Sequence, residues 1–179
     1  MSASMRPAPH FPGIHPMAKR TFNPSVTVAA IVERDGRYLL IEENVLGRRV
    51  LNQPAGHWEK GETLIQACVR ETLEETAHHF RPTALVGVYL SRVARPRPPG
   101  EAPVETTYLR FAFCGDLGDF VPDRRLDHGI VRTLWMRPQE IRALAHVHRS
   151  SALMQCVDDY LAGARFPLSL LHTDPGLSA

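Results

Sequence analysis

Gly56-His-Trp-Glu-Lys-Gly-Glu-Thr-Leu-Ile-Gln-Ala-Cys-Val-Arg-Glu-Thr-Leu-Glu-Glu-Thr76 is the most informative segment of the 179-residue chain. Thr63 followed three residues later by Gln66 fits a capping box, which predicts a helix over residues 63–76. Ile65, Cys68, Val69, Thr72, Leu73 and Thr76 recur at helical spacing and form its inward stripe. At about 100° per residue, Glu71, Glu74 and Glu75 share one arc of about 100° opposite that stripe. Glu71 and Glu75 lie one turn apart, and like charges so placed cost roughly a few tenths of a kcal/mol in a bare helix. A solvated acidic face has this pattern too. A divalent cation would instead turn the repulsion into the reason for the cluster, because Mg²⁺ or Mn²⁺ favours carboxylate oxygens. Gly56 and Gly61 bracket a short loop before the helix, where glycine lets backbone approach an anion or metal. Arg70, beside the acidic arc, is placed to pair with Glu62, Glu71 or Glu74 and so fix their rotamers.

Working outward, Val26 to Val32 is a mostly apolar, β-branched run that suits a buried strand. Asp35-Gly36 supplies a turn and Arg37 to Ile41 returns, so residues 26–41 are expected to form a hairpin. A polar connection leads to Val50-Leu-Asn-Gln-Pro-Ala-Gly56. Beyond the helix, strands are expected over 83–90, 108–114 and 130–136. Pro138 opens a helix running to about Ala145, and residues 151–162 form a last one. Leu153, Cys156, Val157, Tyr160 and Leu161 would face inward there, and Gly163 would stop it. Arg95-Pro-Arg-Pro-Pro-Gly100 reads as a surface loop long enough for a lid or binding loop. Strands and helices mix irregularly. The fold class is α+β (mixed α/β), a mixed sheet covered by helices. Residues 1–20, with four of the chain's 15 prolines, are expected to be a disordered tail. Residues 21–171 would form one domain and 172–179 a C-terminal tail.

Composition narrows the function classes. The chain is 44% hydrophobic and 22% charged, as in ordinary globular domains. No apolar run approaches the roughly 20 residues that span a bilayer, and the N-terminus has no continuous apolar core of a secretory leader. Cys68, Cys114 and Cys156 are odd in number, widely spaced and set among apolar neighbours. They read as core residues of a reducing, cytoplasmic compartment, not as a disulfide framework or zinc site. The net charge is +2, but Arg6, Lys19 and Arg20 are the only charged residues of 1–20. Without them residues 21–179 carry −1, so no nucleic-acid partner is implied.

Gly56-x5-Glu62-x7-Arg70-Glu71-Thr72-x-Glu74-Glu75 resembles the Nudix box. Its usual form is Gly-x5-Glu-x7-Arg-Glu-U-x-Glu-Glu-x-Gly-U, where U is bulky and aliphatic. Six positions match at fixed spacing. Thr72 and His78 stand where aliphatic residues are usual, and Ala77 replaces the closing glycine, a change at the helix exit and not among the carboxylates. Val26-Thr-Val, Asn52-Gln-Pro-Ala-Gly-His57, Leu109-Arg-Phe, Trp135 and Arg149-Ser extend the resemblance to one subgroup, nucleoside tri- and diphosphatases that also act on the thiamine-pyrimidine diphosphate. The resemblance implies the Nudix fold, an α/β/α sandwich with a mixed central sheet. It implies Mg²⁺-dependent cleavage of phosphoanhydride bonds, with Mn²⁺ as a substitute. It also makes Glu71 and Glu75 the principal metal ligands and Glu74 a third ligand or the general base. Arg70 would orient the glutamates, Glu62 would assist at the loop–helix junction, and a carbonyl of Ala55 or Gly56 would complete the coordination. Other expected substrates within the family are ADP-ribose, dinucleoside polyphosphates and oxidised nucleotides. A Nudix-like binding module without catalysis is the alternative of another class, and it usually lacks box glutamates that are present here.

Other candidates are softer. Asp127, ahead of Glu101, Glu105 and Asp123, is the expected carboxylate from a distant loop. Gly56, Asn52, Gln53 and Arg110 are candidate substrate contacts, the amides by bonding a base edge or ribose. Tyr108, Phe111 and Phe113 could stack on a base, though the alternation of Phe111 and Phe113 equally fits core. His57 could point toward the metal site, whereas His78 and His79 need only the helix C-terminal dipole. The partner is expected to be a small nucleotide or diphosphate, with no nucleic acid or membrane, and the protein a monomer or homodimer. An alkaline pH preference follows from the need to deprotonate the attacking water.

Overall fold

The computed structural model describes residues 23–95 and 104–177. The N-terminal tail, the proline-rich loop after Arg95 and Glu101 lie outside the described residues, as do the last two residues of the expected C-terminal tail. Residues 172–177 of that tail are described and hold a 3-10 turn at Pro175–Leu177.

Two four-stranded sheets form the frame. In one, β5 (Ala55–His57), β1 (Ser25–Ile31), β7 (Val104–Phe120) and β6 (His78–Arg95) lie side by side in that order. The β1–β7 pair is parallel and its neighbours are antiparallel, so this sheet is mixed. In the other, β3 (Arg37–Val45) pairs antiparallel with β2 (Glu33–Arg34), β4 (Arg48–Asn52) and β8 (Ile130–Met136).

Strand β1 is covered on both faces, which explains its continuous apolar run. Val28 and Ala30 face a core with Ala67 and Cys68 of α1 (Leu64–Thr76) and Phe113 of β7. Ala29 and Ile31 face a second core with Ile141 of α2 (Pro138–Ala143) and Leu153, Cys156 and Val157 of α3 (Ala152–Leu161). Each fully buried large side chain, such as Phe113 or Leu153, contributes about 1.5–3 kcal/mol.

The expected hairpin over 26–41 is corrected. Asp35 and Gly36 do turn the chain, with φ of 53° and 72°, but only Glu33 and Arg34 pair back onto β3. The buried run 26–31 joins the other sheet, because both its faces need covers that a two-stranded hairpin cannot provide. A second turn at Leu46-Gly47, with φ of 51° and 80°, joins β3 to β4 where only a connection was expected. The remaining strands fall where expected, though β6 and β7 run much longer because they pair with each other along almost their whole length. Leu161 is corrected too: it is 56% exposed at the end of α3. Gly163, at φ 87°, follows as the stop.

Helix α1 starts at a complete capping box between Thr63 and Gln66. It ends at Ala77 with φ 57°, the left-handed conformation glycine usually takes. The strain of roughly 1–2 kcal/mol is offset in part by burial of the Ala77 methyl, worth roughly 0.8 kcal/mol. That balance lets alanine replace the usual glycine. Thr72 fits an aliphatic position because its hydroxyl donates to the Cys68 carbonyl at 2.7 Å, leaving only its methyl unpaired in the core.

Candidate active site

The acidic arc does not lie opposite the buried face. Glu71 and Glu75 are themselves buried, together with Ala67, Cys68, Thr72 and Thr76, while Val69 and Leu73 are half-buried. The buried side of α1 is rotated toward the carboxylates because β1 and β5 pack there. Only Glu74 of the three stands at the rim.

Arg70 occupies the centre of the cluster and binds all three expected partners. It grips Glu62 bidentately, Nε to Oε2 at 2.9 Å and Nη2 to Oε1 at 2.7 Å. Nη1 reaches Glu71 at 2.8 Å and Glu74 at 3.1 Å, and Nη2 also donates to the His57 carbonyl at 2.9 Å. This fork fixes three carboxylates and the loop at once, which a lysine's single ammonium could not do. The Glu59 N–H donates to Glu62 and the Trp58 indole N–H to the Glu62 carbonyl, tying the loop to the helix start.

Glu75 lies deeper. Its Oε2 accepts the Ala55 N–H at 2.7 Å. Gly56 comes next, and its lack of a side chain is required: a Cβ there would stand 2.0 Å from the Glu71 carboxyl carbon. The β5 backbone therefore lies directly against both expected ligands.

One guanidinium faces four glutamates, so the cluster is under-neutralised. The Arg70 hydrogen bonds hold Glu62 below the usual carboxylate range. Burial pushes Glu71 up against the opposing pull of Arg70, with Glu74 and Asp127 adding repulsion. Burial likewise pushes Glu75 up to about 9, helped by the charges of Glu71, Glu43 and Asp127 and opposed by the Ala55 hydrogen bond. Among the described residues no three such side chains converge as a ready cage. Arg70 draws Glu71 and Glu74 to itself, and Ala55 holds Glu75. The donor set still fits a hard divalent cation: oxygen ligands only, a buried pair short of positive charge, and backbone brought close by Gly56.

Asp127 is brought to this site. Its N–H donates to the Glu74 carbonyl at 3.0 Å, and its charge acts on both Glu71 and Glu75. Glu105 pairs with Arg92 on the β6–β7 hairpin and Asp123 sits in an exposed turn. Phe113 is wholly buried, and Phe111 is half-buried and packs on the same core. Tyr108 is half-buried, with its ring 6.4 Å from that of His57. His57, Thr27, Arg110 and Tyr89 form one row across β5, β1, β7 and β6. Asn52 and Gln53 were expected at a base edge, but they are 5% and 1% exposed and both accept hydrogen bonds from Arg110.

Sequence reasoning missed Glu43. It lies on β3, is pushed up by burial, and adds its charge to the field at Glu75. Glu42 and Glu43 are adjacent at the end of an apolar run, and only the pairing shows which is which. Glu42 pairs with the exposed Arg49 and Arg132, while Glu43 faces Asn52 and Arg149. Strand alternation could have flagged that one of the two must face inward.

The family model of the NUDIX domain matches residues 21–155. The phosphatase NudJ of Escherichia coli K12 is 33% identical over 150 residues, covering 84% of this chain and 92% of that protein. A NUDIX hydrolase of Nitrosomonas europaea, known as a solved structure, is 50% identical with a TM-score of 0.77, covering 86% of this chain and 99% of that one.

Proposed function

The chain belongs to the NUDIX family and is a hydrolase of acid-anhydride bonds, and from that premise we propose that it is a Mg²⁺-dependent phosphohydrolase of nucleoside tri- and diphosphates. It releases orthophosphate and also accepts the diphosphate of hydroxymethylpyrimidine. The observation that carries the chemistry is the buried, under-neutralised Glu71–Glu75 pair lying against Gly56. The substrate class rests on the likeness to phosphatase NudJ over most of both chains.

Glu71 and Glu75 would hold the cation, Mn²⁺ being a substitute for Mg²⁺, with Glu74 as third ligand or general base. When bound, the cation supplies charge neutralisation for the diphosphate and acidifies the attacking water. Arg70 aligns Glu71 and Glu74 while leaving their other oxygens free, and Glu62 locks Arg70 in turn. Asp127, whose N–H is tied to the Glu74 carbonyl, would be a further carboxylate of the site, as ligand or base. All three cysteines are free and buried, in keeping with a cytoplasmic enzyme. Among the described residues no helix is long and apolar enough to cross a membrane.

Product analysis tests the substrate class. Incubation with ADP or GDP and Mg²⁺ is expected to release orthophosphate and the monophosphate. AMP and ribose phosphate from ADP-ribose, with nucleoside diphosphates untouched, would overturn the proposal in favour of a pyrophosphatase on another nucleoside diphosphate derivative.

The charge state of Glu75 gives a second test. Its folded-state pKa is raised from 4.5 to about 9, so the folded protein holds the extra proton between those values. The associated stability is full below the lower value and is lost as pH rises through the upper one. In chelator, the melting temperature is expected to fall from pH 6 to pH 9. Millimolar Mg²⁺ or Mn²⁺ should raise it more at pH 9 than at pH 6, since the cation replaces the proton. A metal-induced rise that is larger at pH 6 contradicts the assignment.

A further inference from the structure

We propose that Arg110 is a positioning residue for the carboxylate site, acting through a buried bracket of amides and not through contact with substrate. The proposal rests on Glu71 and Glu75 being the metal ligands.

Arg110 is 9% exposed at the centre of β7, and a guanidinium stays charged there. Among the described residues no carboxylate lies within ion-pair distance of it. Instead Nη1 donates to Gln53 Oε1 at 3.1 Å and Nη2 to Asn52 Oδ1 at 3.3 Å. Gln53 is used at its other end as well: its Nε2 donates to the Leu153 carbonyl of α3 at 2.8 Å. Asn52 also faces Glu43, whose carboxyl it pulls down against the effect of burial. Asn52 thus stands between a buried cation and a partly buried carboxylate, while Gln53 ties β7 to α3. Neither amide can swing outward without stranding a buried donor or acceptor.

The bracket ends at the metal site. Pro54 follows Gln53, with its φ fixed by the ring and its carbonyl accepting from the Ala30 N–H at 2.9 Å. Ala55 comes next and holds Glu75 by its N–H. Arg110 therefore anchors the segment from which Glu75 is suspended. Its charge also faces those of Glu43 and Glu75, with Cys156 of α3 and Tyr89 of β6 as its other neighbours. This explains why so costly a group as a buried cation without an ion-pair partner is kept. Arg149 Nε lies 3.9 Å from Glu43 Oε1, a buried oxygen that has no hydrogen-bond partner among the described residues.

The experiment is Mn²⁺ titration of the full chain by electron paramagnetic resonance, without substrate, beside steady-state kinetics. Wild type is compared with Glu75→Gln, Arg110→Met, Arg110→Lys and Gln53→Leu. Removing a residue that orients a metal ligand typically costs about 10–100-fold in affinity or activity. Arg110→Met is accordingly expected to weaken Mn²⁺ binding by about tenfold and lower kcat, with KM within about twofold of wild type. Arg110→Lys keeps the charge without the fork and should recover only part of the loss. Gln53→Leu keeps Arg110 but opens the bracket, and should also weaken Mn²⁺ binding. Should Arg110→Met not fold, wild-type Mn²⁺ affinity in folded Gln53→Leu overturns the proposal. Wild-type Mn²⁺ affinity in Arg110→Met with a raised KM overturns it in favour of substrate contact. If Glu75→Gln binds Mn²⁺ as tightly as wild type, the metal-site reading itself fails, a result separable from any effect at Arg110.

Discussion

Glu75→Gln is expected to lower Mg²⁺-dependent turnover by on the order of 10³-fold, about 4 kcal/mol of transition-state stabilisation. The substitution removes a charge and almost nothing else. The glutamine carbonyl can still accept the Ala55 N–H that Glu75 Oε2 takes at 2.7 Å. The same change removes the buried charge that forms on Glu75 as pH rises toward 9 and that Glu71, Glu43 and Asp127 repel. The metal-free variant is therefore expected to be at least as stable as wild type at pH 8–9. Loss of activity with gain of stability separates a role in catalysis from a role in folding. It is measured by steady-state kinetics with Mg²⁺ beside thermal melts in chelator. Unchanged turnover would remove Glu75 from the mechanism.

The helix and the ion pairs of Arg70 were legible in the sequence because both depend on local spacing. The capping box, each Arg70 pair with Glu62, Glu71 or Glu74, and the neighbouring Glu71–Glu75 pair join residues no more than eight positions apart. The direction in which α1 is buried was not legible. Val69 and Leu73 are more apolar than Glu71 and Glu75, yet the carboxylates lie deeper because β5 meets the helix on their side. Amphipathic patterning assumes that polar residues face water, and a pair of buried carboxylates such as Glu71 and Glu75 violates that assumption. The pairing of β1 was hidden for a related reason. A turn at Asp35-Gly36 looks the same whether the preceding strand continues into a hairpin or leaves for another sheet. Gln53 and Asn52 illustrate the limit of residue type as a guide. Two amides before a loop suggest a ligand contact, and only Arg110, 57 residues away from Gln53, shows where their bonds are spent.

Gly56→Ala carries the other large effect, and it acts on a residue that makes no contact with substrate or metal through a side chain. Gly56 is not in the left-handed region, so its backbone tolerates alanine. Its pairing with Val28 in β1 is a main-chain matter and survives. What does not survive is the space. The new Cβ would lie 2.0 Å from the Glu71 carboxyl carbon and 2.1 Å from both of its oxygens. The least costly relief is to swing the Glu71 carboxylate away, breaking its 2.8 Å bond with Arg70, because the side chain can move and the strand cannot. The variant should therefore fold, with a melting temperature lowered by about 2–4 °C for a loss of about 1 kcal/mol. Its Mg²⁺-dependent kcat should nonetheless fall by about 10²–10³-fold, because a ligand is misplaced by more than about 1 Å. Adding Glu71→Asp to Gly56→Ala shortens the displaced side chain by one methylene and opens the space the methyl needs. The double variant is expected to recover part of the Mn²⁺ affinity that Gly56→Ala loses, although Glu71→Asp alone should weaken it. Affinities of the two single variants that simply add in the double would place the collision elsewhere, since residues in direct contact do not add.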